Sequence, residues 1–249
     1  MITNMKRPNS DPVTLNNIAV QQLENNDFSS ASELLKVALR MILPKQDNEP
    51  ANDLNVPPSQ LVDFRWSKNA NMCSSGKIRD KTSQNRYIFA RGVFIVRWAQ
   101  KNRKMMRTGN TPLSSDVKAS IIYNAALASH LQASQENNYI SLQIRAQSLY
   151  RLSQNILREA RNKGNRSKLC LQNFFHVAIL NNLGQLSYEL VDYELSTKYF
   201  NQLKRNLHFL KSKRKGSILL WQETGYCQND LAGMFSNTAI MVPNTAPCA

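Results

Sequence analysis

The sequence predicts a mainly α-helical chain of helical hairpins, and three observations carry that expectation. Apolar residues recur at helical spacing in three separated stretches. A polar stretch breaks each of them once, and small and bulky residues return at matching offsets from copy to copy. Hydrophobic residues make up 42% of the 249, enough for a packed core, while eight glycines and nine prolines are too few for a wholly disordered chain.

The first hairpin is expected within residues 1–44. Asp11-Pro12 offers a cap and a first-turn proline, and Leu15, Ile18, Ala19 and Leu23 form the first apolar stripe. Asn25-Asn26-Asp27 interrupts it, with Asp27 placed to cap a second helix carrying Ala31, Leu34, Leu35, Ala38, Leu39 and Ile42. Pro44 then stops that helix.

Residues 45–115 break the pattern and read as an irregular basic insert. Gln46 to Gln60 is rich in Pro, Asn and Asp, a loop composition. The β-prone runs Arg86–Phe89 and Val93–Val96 flank Ala90-Arg91-Gly92 and suggest one small β-hairpin packed on the helices.

Residues 116–222 are expected to hold two further hairpins and a short capping helix at Ser217 to Gln222. In the middle copy, Ile121 to Leu127 and Leu142 to Leu157 read as the two helices, joined by a long polar surface loop around Ser134 to Tyr139. The last copy runs from Val177 to Leu210, with Val191-Asp192-Tyr193 standing where Asn26-Asp27-Phe28 stood. Residues 223–249 read as an irregular C-terminal tail.

These segments resemble tetratricopeptide (TPR) repeats, a unit of about 34 residues with small residues at fixed points and a bulky one between them. The first copy fits with Ala19, Ala31, Leu35 and Ala38, and the second with Ala126, Ala146, Tyr150 and Ser153. The third fits with Gly184, Ser196 and Phe200, with Leu203 in place of the last small residue. The resemblance implies TPR-like hairpins stacked as a short right-handed solenoid. It also implies a non-enzymatic scaffold that binds a protein or peptide in a concave groove lined by the first helices. Asn17, Asn124 and Asn182 fall where the family's asparagine reads a peptide backbone. Tyr123, Asn181, Gln185 and Tyr188 would stand beside them, with Asn16, Val20 and Leu127.

Charge suggests a competing reading. The net charge is +15, and it is uneven: residues 1–65 carry six basic and eight acidic side chains, the remainder 26 and nine. Within the insert Arg86, Arg91, Arg97, Lys101, Arg103, Lys104 and Arg107 interleave with aromatic residues, a composition suited to phosphates and stacked bases. A basic nucleic-acid-binding module is therefore the alternative expectation, and an acidic protein partner suits the same charge.

No catalytic constellation is expected. His130, His176 and His208 lack an accompanying nucleophile, and Cys73-Ser74-Ser75-Gly76-Lys77 lacks the first glycine and the Ser/Thr of a phosphate loop. Cys73, Cys170, Cys227 and Cys248 are scattered, so neither a metal site nor a disulfide framework is expected, and no cofactor is implied. With no apolar leader and no run long enough to cross a membrane, the expected location is cytoplasmic or nuclear.

Overall fold

The computed structural model describes residues 11–43, 62–67, 77–79, 85–97, 113–135, 140–162, 169–212 and 228–240. The fold is mainly helical. Seven helices and four short strands occur among these residues: α1 (Pro12–Glu24), α2 (Phe28–Ile42), β1 (Val62–Trp66), β2 (Lys77–Arg79), β3 (Asn85–Tyr87), β4 (Val93–Arg97), α3 (Ser115–Gln135), α4 (Ile140–Asn162), α5 (Leu169–Glu189), α6 (Tyr193–Ser212) and α7 (Gln228–Ile240).

Local chemistry sets the helix ends. The Asp11 carboxylate accepts from the N–H groups of Val13 and Thr14, and Pro12 opens α1 where its missing N–H costs nothing. Asp27 caps α2 by accepting from Ser30 N, and Asp192 caps α6 by accepting from Leu195 N. The α1–α2 and α5–α6 turns are built alike. Asn26 and Val191 both take left-handed backbone, at φ 60° and 63°. The next residue in each turn, Asp27 or Asp192, donates its N–H to the carbonyl five positions back, Gln22 or Ser187. Leu43 leaves α2 in extended conformation, as a residue preceding proline must.

Packing follows chain order. Each helix packs on the next, from α1 through α7, and the first helices of the hairpins also touch, α1 on α3 and α3 on α5. The first hairpin therefore stacks directly on the second despite the insert between them. Small residues permit the close approach: Ala19, Ala31 and Ala38 are fully buried, and the Ser153 hydroxyl donates to Ala119 O at 2.9 Å. At Gly184 a Cβ would lie 2.8 Å from the Phe200 ring, while the Ser196 hydroxyl donates to Gly184 O at 2.8 Å.

Three expectations need correction. Arg86–Phe89 does not pair with Val93–Val96: β3 pairs antiparallel with β2 (Lys77↔Tyr87), and β4 with β1 (Val62↔Arg97 through Trp66↔Val93). Ala90-Arg91-Gly92 runs on extended rather than turning back, because helix side chains hold its neighbours. The first helix of the middle hairpin does not end near Leu127: buried Leu131 and Ala133 carry α3 on to Gln135, so that it takes in the first two residues of the expected loop, and residues 136–139 lie outside the described residues. The tail contains α7, whose Gly, Ser, Asn and Thr give little helical signal; burial of Asp230, Leu231, Met234 and Asn237 holds it in place. The capping helix expected at 217–222 lies outside the described residues.

Candidate binding groove

Helices α1, α3 and α5 lie side by side, and each presents an asparagine to one extended stretch of chain, residues 88–97. Asn17 Nδ2 donates to Ile95 O at 2.9 Å, and its Oδ1 accepts from Ile95 N at 2.9 Å. Asn124 does the same for Val93, at 2.9 and 2.8 Å. Asn182 does so for Phe89, at 3.1 and 3.0 Å. A primary amide offers a donor and an acceptor side by side, so each side chain mimics the partner residue of a β-ladder.

The residue numbers follow from strand geometry. Backbone polar groups of alternate residues face opposite edges of a strand, and Phe89, Val93 and Ile95 share one parity. Arg91, of that parity too, turns its carbonyl to the Tyr123 hydroxyl at 3.3 Å. Gly92 has the other parity, and its carbonyl accepts from Ser67 N beyond the end of β1 at 3.0 Å. One edge of the segment is thus held by helix side chains and the other by β1.

Side chains complete the seat. Phe89 is fully buried, edge-on to Trp66 at 4.9 Å between ring centroids, and Trp66 stands edge-on to Tyr123 and Phe175 at 6.1 Å each. A Cβ on Gly92 would come within 2.9 Å of Val20 Cγ1, so this close approach of strand to α1 requires glycine. Arg91 lies buried, its Nε 3.0 Å from Asp230 Oδ2 of α7 and its Nη1 3.3 Å from Ser67 O.

The surrounding polar groups are linked in turn. Asn124 Nδ2 donates to Asn16 Oδ1 at 2.7 Å, and Asn16 donates to Val93 O at 3.1 Å. Asn182 also donates to the Tyr150 hydroxyl, whose pKa burial pushes up, so it stays neutral. Asn237 of α7 donates to Asn181 Oδ1 at 2.9 Å. Farther along α5, Gln185 and Gln143 donate to the Glu189 carboxylate, and His130 Nε2 stands 3.6 Å from it. Burial works to raise the Glu189 pKa, but His130 and the two amides outweigh it and hold the group below the ordinary carboxylate value.

Asn17, Tyr123, Asn124 and Asn182 therefore meet on the strand, with Asn181 bonded to Asn182 beside them, although not as an open surface; Gln185 is instead engaged with Glu189, and Tyr188 stands edge-on to Tyr193. Tyr123, Asn124, Asn181, Asn182 and Gln185 are buried, and Asn17 and Tyr188 are half-buried. Among the basic residues, Arg91 is corrected from a surface cation to a buried one paired with Asp230. Arg86 and Arg97 lie on β3 and β4, while Lys101, Arg103, Lys104 and Arg107 lie outside the described residues. Sequence reasoning missed Trp66, Asp230 and Asn237. The available signals were a tryptophan at the end of an alternating run and a carboxylate just before Leu231 and Met234. Among the described residues no group of three potential ligands is placed to hold a metal ion, and no helix is long and apolar enough to cross a membrane. Comparisons with protein-family models, curated proteins and solved structures found no match.

Proposed function

We propose that this chain is a non-enzymatic, TPR-like scaffold whose first helices form a groove for an extended polypeptide, filled in the free chain by its own residues 88–97. One observation carries the reading. Three asparagines at matching points of successive first helices each take both backbone polar groups of one strand residue. Such pairing recognises an extended backbone whatever its side chains, as in β-strand addition. The seat for Phe89, the close fit at Gly92 and the Asp230 carboxylate facing Arg91 supply side-chain selectivity. A partner suited to this groove presents an extended segment with an aromatic residue, a cation two positions on and a glycine after it. The basic insert gains no comparable support as a nucleic-acid module, because Arg91 is spent on Asp230.

The test is a labelled peptide spanning residues 86–97, titrated against the full chain and against a Phe89→Ala, Ile95→Ala variant by fluorescence anisotropy. The variant's own segment is weakened, so its groove should take the peptide at least tenfold more tightly than the unaltered chain. Adding Asn124→Ala and Asn182→Ala should abolish that gain. Equal affinity in the two chains, with the variant's helical circular dichroism intact, overturns the reading.

A further inference from the structure

The end of α5 gathers parts of three other helices at one corner of the molecule. Gln143 donates to Glu189 at 3.2 Å and Gln147 donates to the Ser187 hydroxyl at 3.1 Å, which lays the first turns of α4 against the last turn of α5. His130, in the last turns of α3, stands 3.6 Å from Glu189. Tyr193 opens α6 edge-on to Tyr188, at 5.0 Å between ring centroids. Glu189 lies seven residues beyond Asn182, about 10 Å along α5. The corner is therefore set apart from the bonds that hold the groove strand.

Apolar side chains are exposed around it. Among the described residues eight large apolar side chains are exposed, and four of them flank these contacts. Ile140 and Ile144 share one face of α4 a turn apart, with Gln143 between them in the chain, while Val191 and Tyr193 follow Glu189 through the α5–α6 turn. Val191 is the least expected of the four. Its left-handed backbone suits asparagine, which the first hairpin uses, yet valine is held there at 67% exposure. Neither turn geometry nor burial accounts for that valine, whereas an apolar contact with another molecule does. The local charge is also opposite to that of the chain. From Asn181 to Thr197 the sequence holds Glu189, Asp192 and Glu194 and no lysine or arginine, in a chain of net charge +15. Arg145, beside Ile144, acts on Glu33 of α2. The Glu189 side chain is 17% exposed, enough to be reached from outside, and no lysine or arginine pairs with it among the described residues. Gln185 bonds this carboxylate through its amide nitrogen, while its Oε1 is buried without a hydrogen-bond partner. A carboxylate beside an unfilled acceptor suits a donor that carries positive charge.

We infer that this corner docks a partner protein, through a segment that seats a lysine or arginine on Glu189 and Gln185 and packs apolar residues on Ile140, Ile144, Val191 and Tyr193. The site is separate from the groove and does not depend on it. Apolar contacts around a shielded charge pair match the anatomy of a protein interface, in which the surrounding side chains keep water from the pair. The same carboxylates would face phosphate if nucleic acid or an anionic membrane lay here, and that repulsion selects a basic polypeptide instead. Charge then sets the choice of partner, and the apolar side chains supply most of the affinity.

The experiment selects displayed random peptides on the immobilised full chain, after subtraction on an Ile144→Ser, Tyr193→Ser chain. Subtraction removes peptides that bind the groove or any other surface. Both replaced side chains are exposed, and an unchanged thermal melt confirms that the variant folds. The selected peptides should carry a lysine or arginine with apolar residues on both sides. Made with a fluorescent label, they should bind the full chain about tenfold more tightly than the subtraction chain. Replacing their cation with glutamine should weaken binding to the full chain about fivefold, and should change little on a Glu189→Gln chain. Val191→Asn should bind them more weakly although its fold is the more stable, a combination that damage to the fold cannot produce. Five outcomes overturn the inference: no enriched peptide, enriched peptides without a shared cation, a cation dependence that survives Glu189→Gln, full affinity in Val191→Asn, or self-association of the full chain in sedimentation that the subtraction chain lacks. The last would assign the corner to a second copy of the chain.

Discussion

Val191 is a β-branched residue held at φ 63°, where side-chain crowding against the backbone costs about 1–2 kcal/mol. The matching turn of the first hairpin has Asn26 in the same conformation, a residue that tolerates it. Val191→Asn should therefore raise stability by about 1 kcal/mol, read as a higher urea midpoint with an unchanged slope, because Val191 is exposed and loses little packing. An unchanged midpoint would mean that the turn relaxes around valine. Gly184 shows the opposite balance. Alanine gains about 1 kcal/mol in helix propensity, but its Cβ would press on a buried Phe200 ring, and overpacking costs about 1–3 kcal/mol. Gly184→Ala should be net destabilising, and adding Phe200→Leu should recover part of the loss in the same denaturation series. The sequence exposed one of these positions and hid the other. Gly184 and Phe200 stand out by their spacing. Valine is no signal for a left-handed turn, and only the alignment of the two hairpins marks it.

The strand in the groove matters most at the level of elements, and it was the least readable from sequence. Periodicity found both helices of each hairpin because their apolar stripes are local. The asparagines' partner lies 78 residues away from Asn17 and 93 from Asn182, and nothing local to either asparagine encodes that pairing. Runs 86–89 and 93–96 looked like two arms of a hairpin because both are β-prone; in fact they belong to one extended path. Asn124→Ala removes a buried side chain and orphans the N–H of Val93 and the Oδ1 of Asn16, while Val93 O keeps its bond from Asn16. At about 1–3 kcal/mol for each buried polar group left unpaired, the loss should be about 3 kcal/mol. Asn17→Ala should cost less, because Asn17 is half-buried and water can replace it. Hydrogen exchange gives a second reading: the Val93 amide should lose protection in the first variant while amides within α6 keep theirs. The Arg91–Asp230 pair ties α7 to the same strand. Asp230→Ala strands a buried guanidinium and should cost about 3–5 kcal/mol, whereas Arg91→Met with Asp230→Leu should restore much of that stability. If the double replacement is no better than the single one, the pair is not what holds α7.

Across the whole molecule, the stacking order of the hairpins makes stability depend on pH through groups shared between neighbouring helices. His176 of α5 is driven down from 6.5 to about 4, first by burial and then by the Arg161 cation near the end of α4. The folded chain keeps this imidazole neutral while the unfolded chain binds a proton as pH falls through 6.5. The stability it confers is complete above that pH and is lost progressively down to about pH 4. Glu189 acts in the same direction but lower on the scale: its folded pKa lies below the ordinary 4.5, so its contribution is present above 4.5 and disappears as pH falls through the depressed value. The unaltered chain should thus lose stability in two stages. The slope of the first stage is limited to one proton, about 1.4 kcal/mol per pH unit. His176→Gln keeps the side chain neutral in both folded and unfolded states, so it should flatten the curve between pH 6.5 and 4.5 and leave the second stage intact. Urea unfolding at pH 7.5, 6.0, 5.0, 4.5 and 3.5 follows both stages in both chains. Parallel curves would show that the proton uptake belongs to another group, and that the α4–α5 contact does not tune His176.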